Sequence, residues 1–266
     1  MLYTPIKRIL YKNKLIDGAT KILIKELSNK QIEKNCMKIL IIIPAYNESL
    51  NIERVVDNII SNYPQYDYVV VNDGSKDETA EICRQHKYNL IDLSINLGLT
   101  GAFQAGIKYA FRHGYDAAIQ LDGDGQHDPK YIDEMVKCMV TEKADIIIGS
   151  RFINGPKNHS MRMIGADILT AMINLTTGTL IKDPTSGMRL FSRKVLKEFA
   201  NNMNYSPEPD TISYLIKNGS IIKEVPVVMD ERTAGESYLN FKQSVKYMSL
   251  MCLSIIFIQQ FRRRKQ

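Results

Sequence analysis

The chain has 266 residues, enough for one large domain or two small ones with a substantial core. Apolar residues make up 44% and charged residues 24%, with 15 Gly and 9 Pro, which excludes a disordered, collagen-like or low-complexity chain. The net charge of +6 is uneven: residues 1–37 carry eight basic and three acidic side chains, residues 242–266 carry six basic and none acidic, and residues 38–241, with 21 basic and 26 acidic, stand at −5.

Basic ends around an acidic middle are unlike the footprint of a nucleic-acid binder, and no aromatic stacking platform is evident, so nucleic acid is excluded as a partner. The pattern suits a domain attached by its ends to an anionic membrane surface. Cys36, Cys83, Cys138 and Cys252 lie far apart with no C-x-x-C pair, which reads as reduced thiols and argues against a disulfide framework or a zinc site.

In chain order, residues 1–36 form a basic extension whose apolar residues, among them Ile6, Ile9, Leu10, Ile16 and Leu23, recur near helical spacing. From Met37 the pattern changes. MKILIII (37–43) predicts a strand buried on both faces and stopped by Pro44, and Glu48–Asn62 predicts a helix. Tyr68–Val71 predicts a second strand and Asp77–Lys87 a helix; Leu90–Leu93 a third strand, then a helix through His113. Ala117–Leu121 predicts a fourth strand, Pro129–Thr141 a helix, and Asp145–Gly149 a fifth strand. This alternation predicts an α/β fold with a mainly parallel sheet flanked by helices. At the end of the chain, Tyr247–Phe261 is an uncharged run of 15 residues bounded by Lys246 and by Arg262–Lys265. A membrane span needs roughly 20 apolar residues, so the run predicts a helix lying in the membrane interface, with burial on the core as the alternative. Three regions follow: 1–36, 37–239 and 240–266.

Ligands of open parallel sheets sit beyond the carboxyl ends of the strands. Those ends carry Asn47 and Glu48, Asp73, Asn96, Asp122 and Asp124, and Arg151. No G-x-G-x-x-G follows the first strand and no G-x-x-x-x-G-K-[ST] occurs, which argues against a dinucleotide-dependent dehydrogenase and a P-loop NTPase. In place of the Gly-rich basic loop that a nucleotidyltransferase needs there, the chain has Pro44-Ala-Tyr-Asn-Glu. Asp122-Gly-Asp124, two carboxylates on a turn at a strand end, can share one hard divalent cation, Mg²⁺ or Mn²⁺, that also meets the phosphates of a substrate. His127, beside this turn, reads as a partly exposed loop side chain, with a place behind the metal ligands as the alternative.

Seven blocks occur in order: IIIPAYNES (41–49), VVNDGSKDET (70–79), NLGLTGAFQAGI (96–107), QLDGDGQHDP (120–129), GSRF (149–152), DPTSGMRLF (183–191) and EVPVVMDERTAGES (224–237). Together they resemble glycosyltransferase family 2, a GT-A fold, and most of all its dolichol-phosphate mannose synthase and polyprenyl-phosphate branch, over about 200 residues.

The resemblance implies an inverting, metal-dependent hexosyltransferase that moves a sugar from a nucleotide-diphospho-sugar to a membrane-embedded polyprenyl phosphate, at the cytoplasmic face of the cell membrane. It implies that Pro44, Ala45, Tyr46, Glu48 and Asp73 line the donor nucleotide pocket. Asp122, Asp124 and Gln126 would hold the metal and the diphosphate, and Arg232 would reach the donor diphosphate. Arg151 and Arg162 would meet the acceptor phosphate, with Ser186 and Arg189 shaping the pocket between donor and acceptor. The sequence departs from the family pattern at Ala166, where a Ser would help hold a lipid phosphate. An alternative acceptor is a hydroxyl of a lipid-linked glycan, which needs a general base; Asp210, then Glu208, are the candidates, and an N-cap is the other role open to Asp210. A non-catalytic nucleotide-sugar-binding membrane module, and a membrane-protein partner, are the remaining alternatives.

Overall fold

In the computed structural model, residues 37–154, 161–202, 206–229 and 241–262 are described, with side chains from 163 in the second stretch and from 246 in the last. The apolar run after Met37 is strand β1 (Ile39–Ala45), in which Leu40, Ile41, Ile42 and Ile43 are fully buried. It is followed by α1 (Ile52–Asn62), β2 (Asp67–Asn72), α2 (Thr79–Gln85), β3 (Leu90–Asp92), α3 (Gly98–Arg112) and β4 (Ala117–Gln120). A short 3₁₀ turn at Pro129–Tyr131 leads into α4 (Ile132–Glu142), then β5 (Ile146–Ser150), α5 (Met161–Thr177), β6 (Arg189–Ser192), α6 (Arg193–Asn201), α7 (Pro209–Lys217) and β7 (Ile222–Pro226). The last helix, α8 (Phe241–Leu253), continues through a π-helical turn, Ser254–Ile258, to Phe261.

The strands form one sheet in the order β3-β2-β1-β4-β6-β5-β7. All pairs are parallel except those of β6, which runs antiparallel to β4 and β5. The α/β, mainly parallel expectation holds. The reversal of β6 matters for the site: it brings the start of that strand, Arg189 with the preceding loop, to the rim where the parallel strands end.

Pro44 does not stop β1. The β1–β4 register ends at Ile42 with Gln120, while pairing to β2 continues through Pro44 with Val71 and Ala45 with Asn72. The missing N–H of Pro44 therefore falls past the last β4 partner and breaks no ladder bond.

The core between sheet and helices contains Leu40, Ile42, Val69 and Ile107, with a trio of rings from Phe103, Phe191 and Phe199 at 5.4–5.8 Å between centroids. Edge and tilted packing at these distances adds to the burial of the rings themselves. α3 lies directly on β1: a Cβ on Gly106 would sit 2.3 Å from Ile42 Cγ2, so only glycine allows this approach. The uncharged run at the end of the chain is a helix with one side on the core. Ile255 is fully buried in the core, while Phe257 and Phe261 on the same helix are exposed.

Candidate active site

The site is assembled from the loops at one rim of the sheet, and those after β1 and β2 are joined to each other. The backbone N–H groups of Asn47, Glu48 and Ser49 donate to Ser75 Oγ at 3.0 Å, Thr79 Oγ1 at 2.9 Å and Asp77 Oδ2 at 3.0 Å, and Lys76 N–H donates back to Asn47 Oδ1 at 2.9 Å. Asn47 takes the left-handed conformation, φ 56°, that this exchange requires. Residues 47–49 are thereby held out of the helix, which begins at Ile52 instead of Glu48. Burial pushes the Asp77 carboxyl up, but the hydrogen bonds from Thr79 and Ser49 outweigh it and leave its pKa below the ordinary value.

Asp73 is buried at the end of β2, and its Oδ1 accepts the Leu97 N–H at 2.7 Å, tying that strand end to the start of α3. Gly74 takes φ +63°, and a Cβ there would lie 2.6 Å from Asn96 N, so this crossing requires glycine. Asp73 thus has one oxygen committed to the backbone of the rim.

The Asp122–Asp124 turn packs on the first loop: a Cβ on Gly123 would lie 3.0 Å from Pro44 O and 3.5 Å from both Ala45 Cβ and Glu48 Cγ. The residues expected to line a donor pocket and those expected to hold a metal are therefore neighbours. Tyr46 and Glu48 are half-buried there, and Glu48 Oε2 accepts from Asn51 Nδ2 at 2.8 Å. Asp124 is buried, and its Oδ1 accepts the Gln126 N–H at 3.0 Å; Arg54 Nη2 donates to the Asp124 carbonyl at 3.2 Å and braces the turn from α1. Asp122 is half-buried, with Oδ1 3.2 Å from Gln120 Nε2.

His127 corrects the reading of it as a partly exposed loop residue. It is 7% exposed, and its Nδ1 lies 3.0 Å from the Asp122 backbone nitrogen. An amide N–H only donates, so Nδ1 is the acceptor and the neutral ring carries its proton on Nε2. The only sequence signal was proximity to the Asp-Gly-Asp turn; burial depends on the loop before β6, whose Gly187 would bring a Cβ to 3.1 Å from both His127 Cε1 and Asp122 Oδ2.

That loop closes the far side. Arg151, at the end of β5, donates through Nε and Nη2 at 2.7 Å each to the fully buried Asp183, and through Nη2 to Thr185 Oγ1 at 3.0 Å. Asp183 also accepts the Arg151 N–H at 3.1 Å. The Nε–Nη2 edge of Arg151, expected at an acceptor phosphate, is thus spent on a buried carboxylate. Ser186 is buried, its Oγ 3.3 Å from Met188 N. Arg189 is buried and donates to three carbonyls, those of Ser186 at 2.8 Å, Pro207 at 2.7 Å and Pro184 at 2.7 Å. Burial lowers its pKa, opposed by the field of Glu208. Arg189 thereby joins the loop before β6 to the loop before α7.

Glu208 and Asp210 face α8. Glu208 stands at the N-cap of α7 and accepts the Tyr247 hydroxyl hydrogen bond, while burial and then Glu208 raise the Tyr247 pKa. Asp210 is in the first turn of α7 and is not its N-cap; its Oδ2 accepts from Ser254 Oγ at 2.6 Å and Gln259 Nε2 at 2.9 Å. Arg162 lies in the first turn of α5, with its side chain outside the described residues, as is all of Arg232.

The donor set of Asp122, Asp124 and Gln126 consists of hard oxygens on one short turn, which fits Mg²⁺ or Mn²⁺. His127 Nδ1, already bonded to the Asp122 N–H, is no part of that set.

The glycosyl transferase family 2 model matches residues 40–200. The chain is 31% identical over 225 residues to the dolichol-phosphate mannosyltransferase of Pyrococcus furiosus, covering 80% of this chain and 62% of that one. It is 30% identical over 218 residues to a UDP-N-acetylglucosamine–dolichyl-phosphate N-acetylglucosaminyltransferase of Methanococcus voltae (71% and 84%), and 28% identical over 214 residues to the polyprenol monophosphomannose synthase of Mycolicibacterium smegmatis (76% and 80%). Among solved structures, glucosyl-3-phosphoglycerate synthase of Mycobacterium tuberculosis, crystallised with Mn²⁺, uridine diphosphate and phosphoglyceric acid, superposes with a TM-score of 0.63 at 18% identity, over 87% of this chain and 81% of that one. The sheet order, the rim and these matches agree on a GT-A enzyme: the chain is a glycosyltransferase and belongs to glycosyl transferase family 2.

Proposed function

We propose that this enzyme transfers a sugar from a nucleotide-diphospho-sugar to a membrane-embedded polyprenyl phosphate, with inversion and with Mg²⁺ or Mn²⁺. The observation that supports the reading is the packing of the Asp122–Asp124 turn against Pro44, Ala45 and Glu48, which makes the turn proposed for the diphosphate a neighbour of the loop proposed for the nucleotide. Pro44, Ala45, Tyr46, Glu48 and Asp73 line the donor side, and Asp122, Asp124 and Gln126 hold the cation. When bound, the cation neutralises the departing diphosphate. In a single in-line displacement the acceptor oxygen forms the new bond to the anomeric carbon as the bond to the nucleoside diphosphate breaks.

A phosphate acceptor is already anionic and needs no general base, whereas a hydroxyl acceptor does. Glu208 and Asp210 are both engaged with α8, which supports the phosphate acceptor over a hydroxyl of a lipid-linked glycan. The names of the relatives support it too, since each includes a polyprenol, dolichol or dolichyl phosphate. Arg162, on the helix beside this rim, and Arg232 remain the proposed contacts to acceptor phosphate and donor diphosphate. Arg151 contributes mainly by fixing the loop through Asp183. Cys83, Cys138 and Cys252 are free thiols, which suits a cytoplasmic membrane face. Incubation with nucleotide sugars, Mn²⁺ and polyprenyl phosphate tests the reading: metal-dependent formation of a sugar phospholipid supports it, and its absence with every donor would refute it.

A further inference from the structure

We infer that Gln120 is a positioning residue for the transfer reaction: its side-chain amide orients the Asp122 carboxylate toward the cation. This inference deepens the reading of Asp122 as a cation ligand and rests on it.

Gln120 is a polar residue in an apolar place. It ends β4, and strand residues two apart share a face, so it follows Ala118 on the side of the sheet that builds the core. Its neighbours in register are Ile42 on β1 and Arg189 on β6, and it is 2% exposed. Ile42 belongs to the core, as do Leu40 and Ala118, which pair one step earlier on the same face. An apolar side chain would suit this position. An amide buried here is costly unless both of its ends are paired.

One end is not paired. Nε2 donates to Asp122 Oδ1 at 3.2 Å, while Oε1 is buried with no hydrogen-bond partner. Arg189, the adjacent donor, bonds to the carbonyls of Pro184, Ser186 and Pro207 instead. Turning the amide over brings no relief, because Oε1 would then face a carboxylate oxygen with no proton between them. A buried acceptor left unpaired lowers stability, so the fold alone does not call for a glutamine here. The donor to Asp122 does.

That donor makes the one hydrogen bond of the Asp122 carboxylate among the described residues. The terminal torsion of an aspartate is broad, so a carboxylate without a fixed partner samples many orientations. The amide holds Oδ1 and leaves Oδ2 open. Because it is neutral, it orients the carboxylate without cancelling the charge that attracts the cation, as a lysine or arginine would. Outer partners of this kind set metal affinity by about 10–100-fold.

The test uses the full-length protein with Gln120→Met and, separately, Gln120→Leu. It reads the thermal transition without metal, and Mn²⁺ binding by electron paramagnetic resonance. Both variants should melt at or above the wild-type temperature, because the unpaired carbonyl is gone, and should bind Mn²⁺ about tenfold more weakly or worse. At saturating Mn²⁺, sugar transfer should return to within a few-fold of wild type, since a positioning residue acts only through Asp122. Wild-type Mn²⁺ affinity in the folded variants would overturn the inference. So would an earlier thermal transition in both, which would make the amide a structural group, or a transfer defect that saturating Mn²⁺ leaves in place. Wild-type protein that binds no Mn²⁺ would remove the cation reading itself, and this inference with it.

Discussion

His127 Nδ1 accepts the backbone N–H of Asp122 at 3.0 Å, so a buried neutral imidazole holds the main chain at the start of the Asp-Gly-Asp turn. Replacing it by Ala leaves a buried N–H without its partner, which costs about 1–3 kcal/mol. His127→Ala is expected to melt earlier and to need a higher Mn²⁺ concentration for half-maximal transfer. Unchanged metal dependence together with an unchanged melting temperature would contradict this role.

The second expectation concerns the carboxylates themselves. Asp124→Asn should preserve the fold and lower transfer by roughly 10²-fold or more, since an amide leaves the departing diphosphate uncompensated. EDTA should abolish wild-type transfer, and Mn²⁺ or Mg²⁺ should restore it. Full activity in chelator would remove the cation from the reaction.

Asp210 separates a base from a clasp. As a clasp for Ser254 and Gln259, its replacement by Ala should cost about 1–3 kcal/mol of stability. Asp210→Asn should then leave turnover with polyprenyl phosphate within a few-fold of wild type, whereas loss of a general base costs about 10²–10⁴-fold. A loss of that size at an unchanged melting temperature would favour a hydroxyl acceptor.

Asp77 predicts an acid limb of stability. Its pKa is held below the ordinary value of 3.8, so its contribution is complete above that pH and is lost as pH falls through the depressed folded-state value. Wild type should therefore lose more stability than Asp77→Asn between about pH 5 and pH 2. Parallel denaturation curves for the two proteins across that range would exclude the effect.

Much of this was legible in the sequence because it is local. The buried run 39–43, the turn at Asp122–Asp124 and the alternation of strands and helices follow from hydrophobic period and strand-end chemistry. What was not legible depends on pairing across the fold. The antiparallel β6 is a four-residue strand whose direction is set by its neighbours β4 and β5. The delayed start of α1 comes from side chains about 30 residues away, Ser75, Asp77 and Thr79. Arg151 read as a phosphate ligand because a guanidinium fork suits an anion, and Arg189 as part of a pocket wall; only the structure reveals Asp183 beside the first and the three carbonyls around the second. Asp210 and Glu208 read as candidate bases, with an N-cap as the other role of Asp210; their partners on α8 lie about 40 residues further along the chain and carry no local signal.

The most direct measurement is transfer of radiolabelled sugar from a panel of nucleotide sugars to polyprenyl phosphate by the purified full-length chain with Mn²⁺ or Mg²⁺. The account predicts label in the organic phase with one donor, in the inverted anomeric configuration, dependent on the cation and lost in Asp124→Asn. Label that enters lipid only when the acceptor is a lipid-linked glycan, or nucleoside diphosphate released with no labelled lipid for any donor, would contradict it.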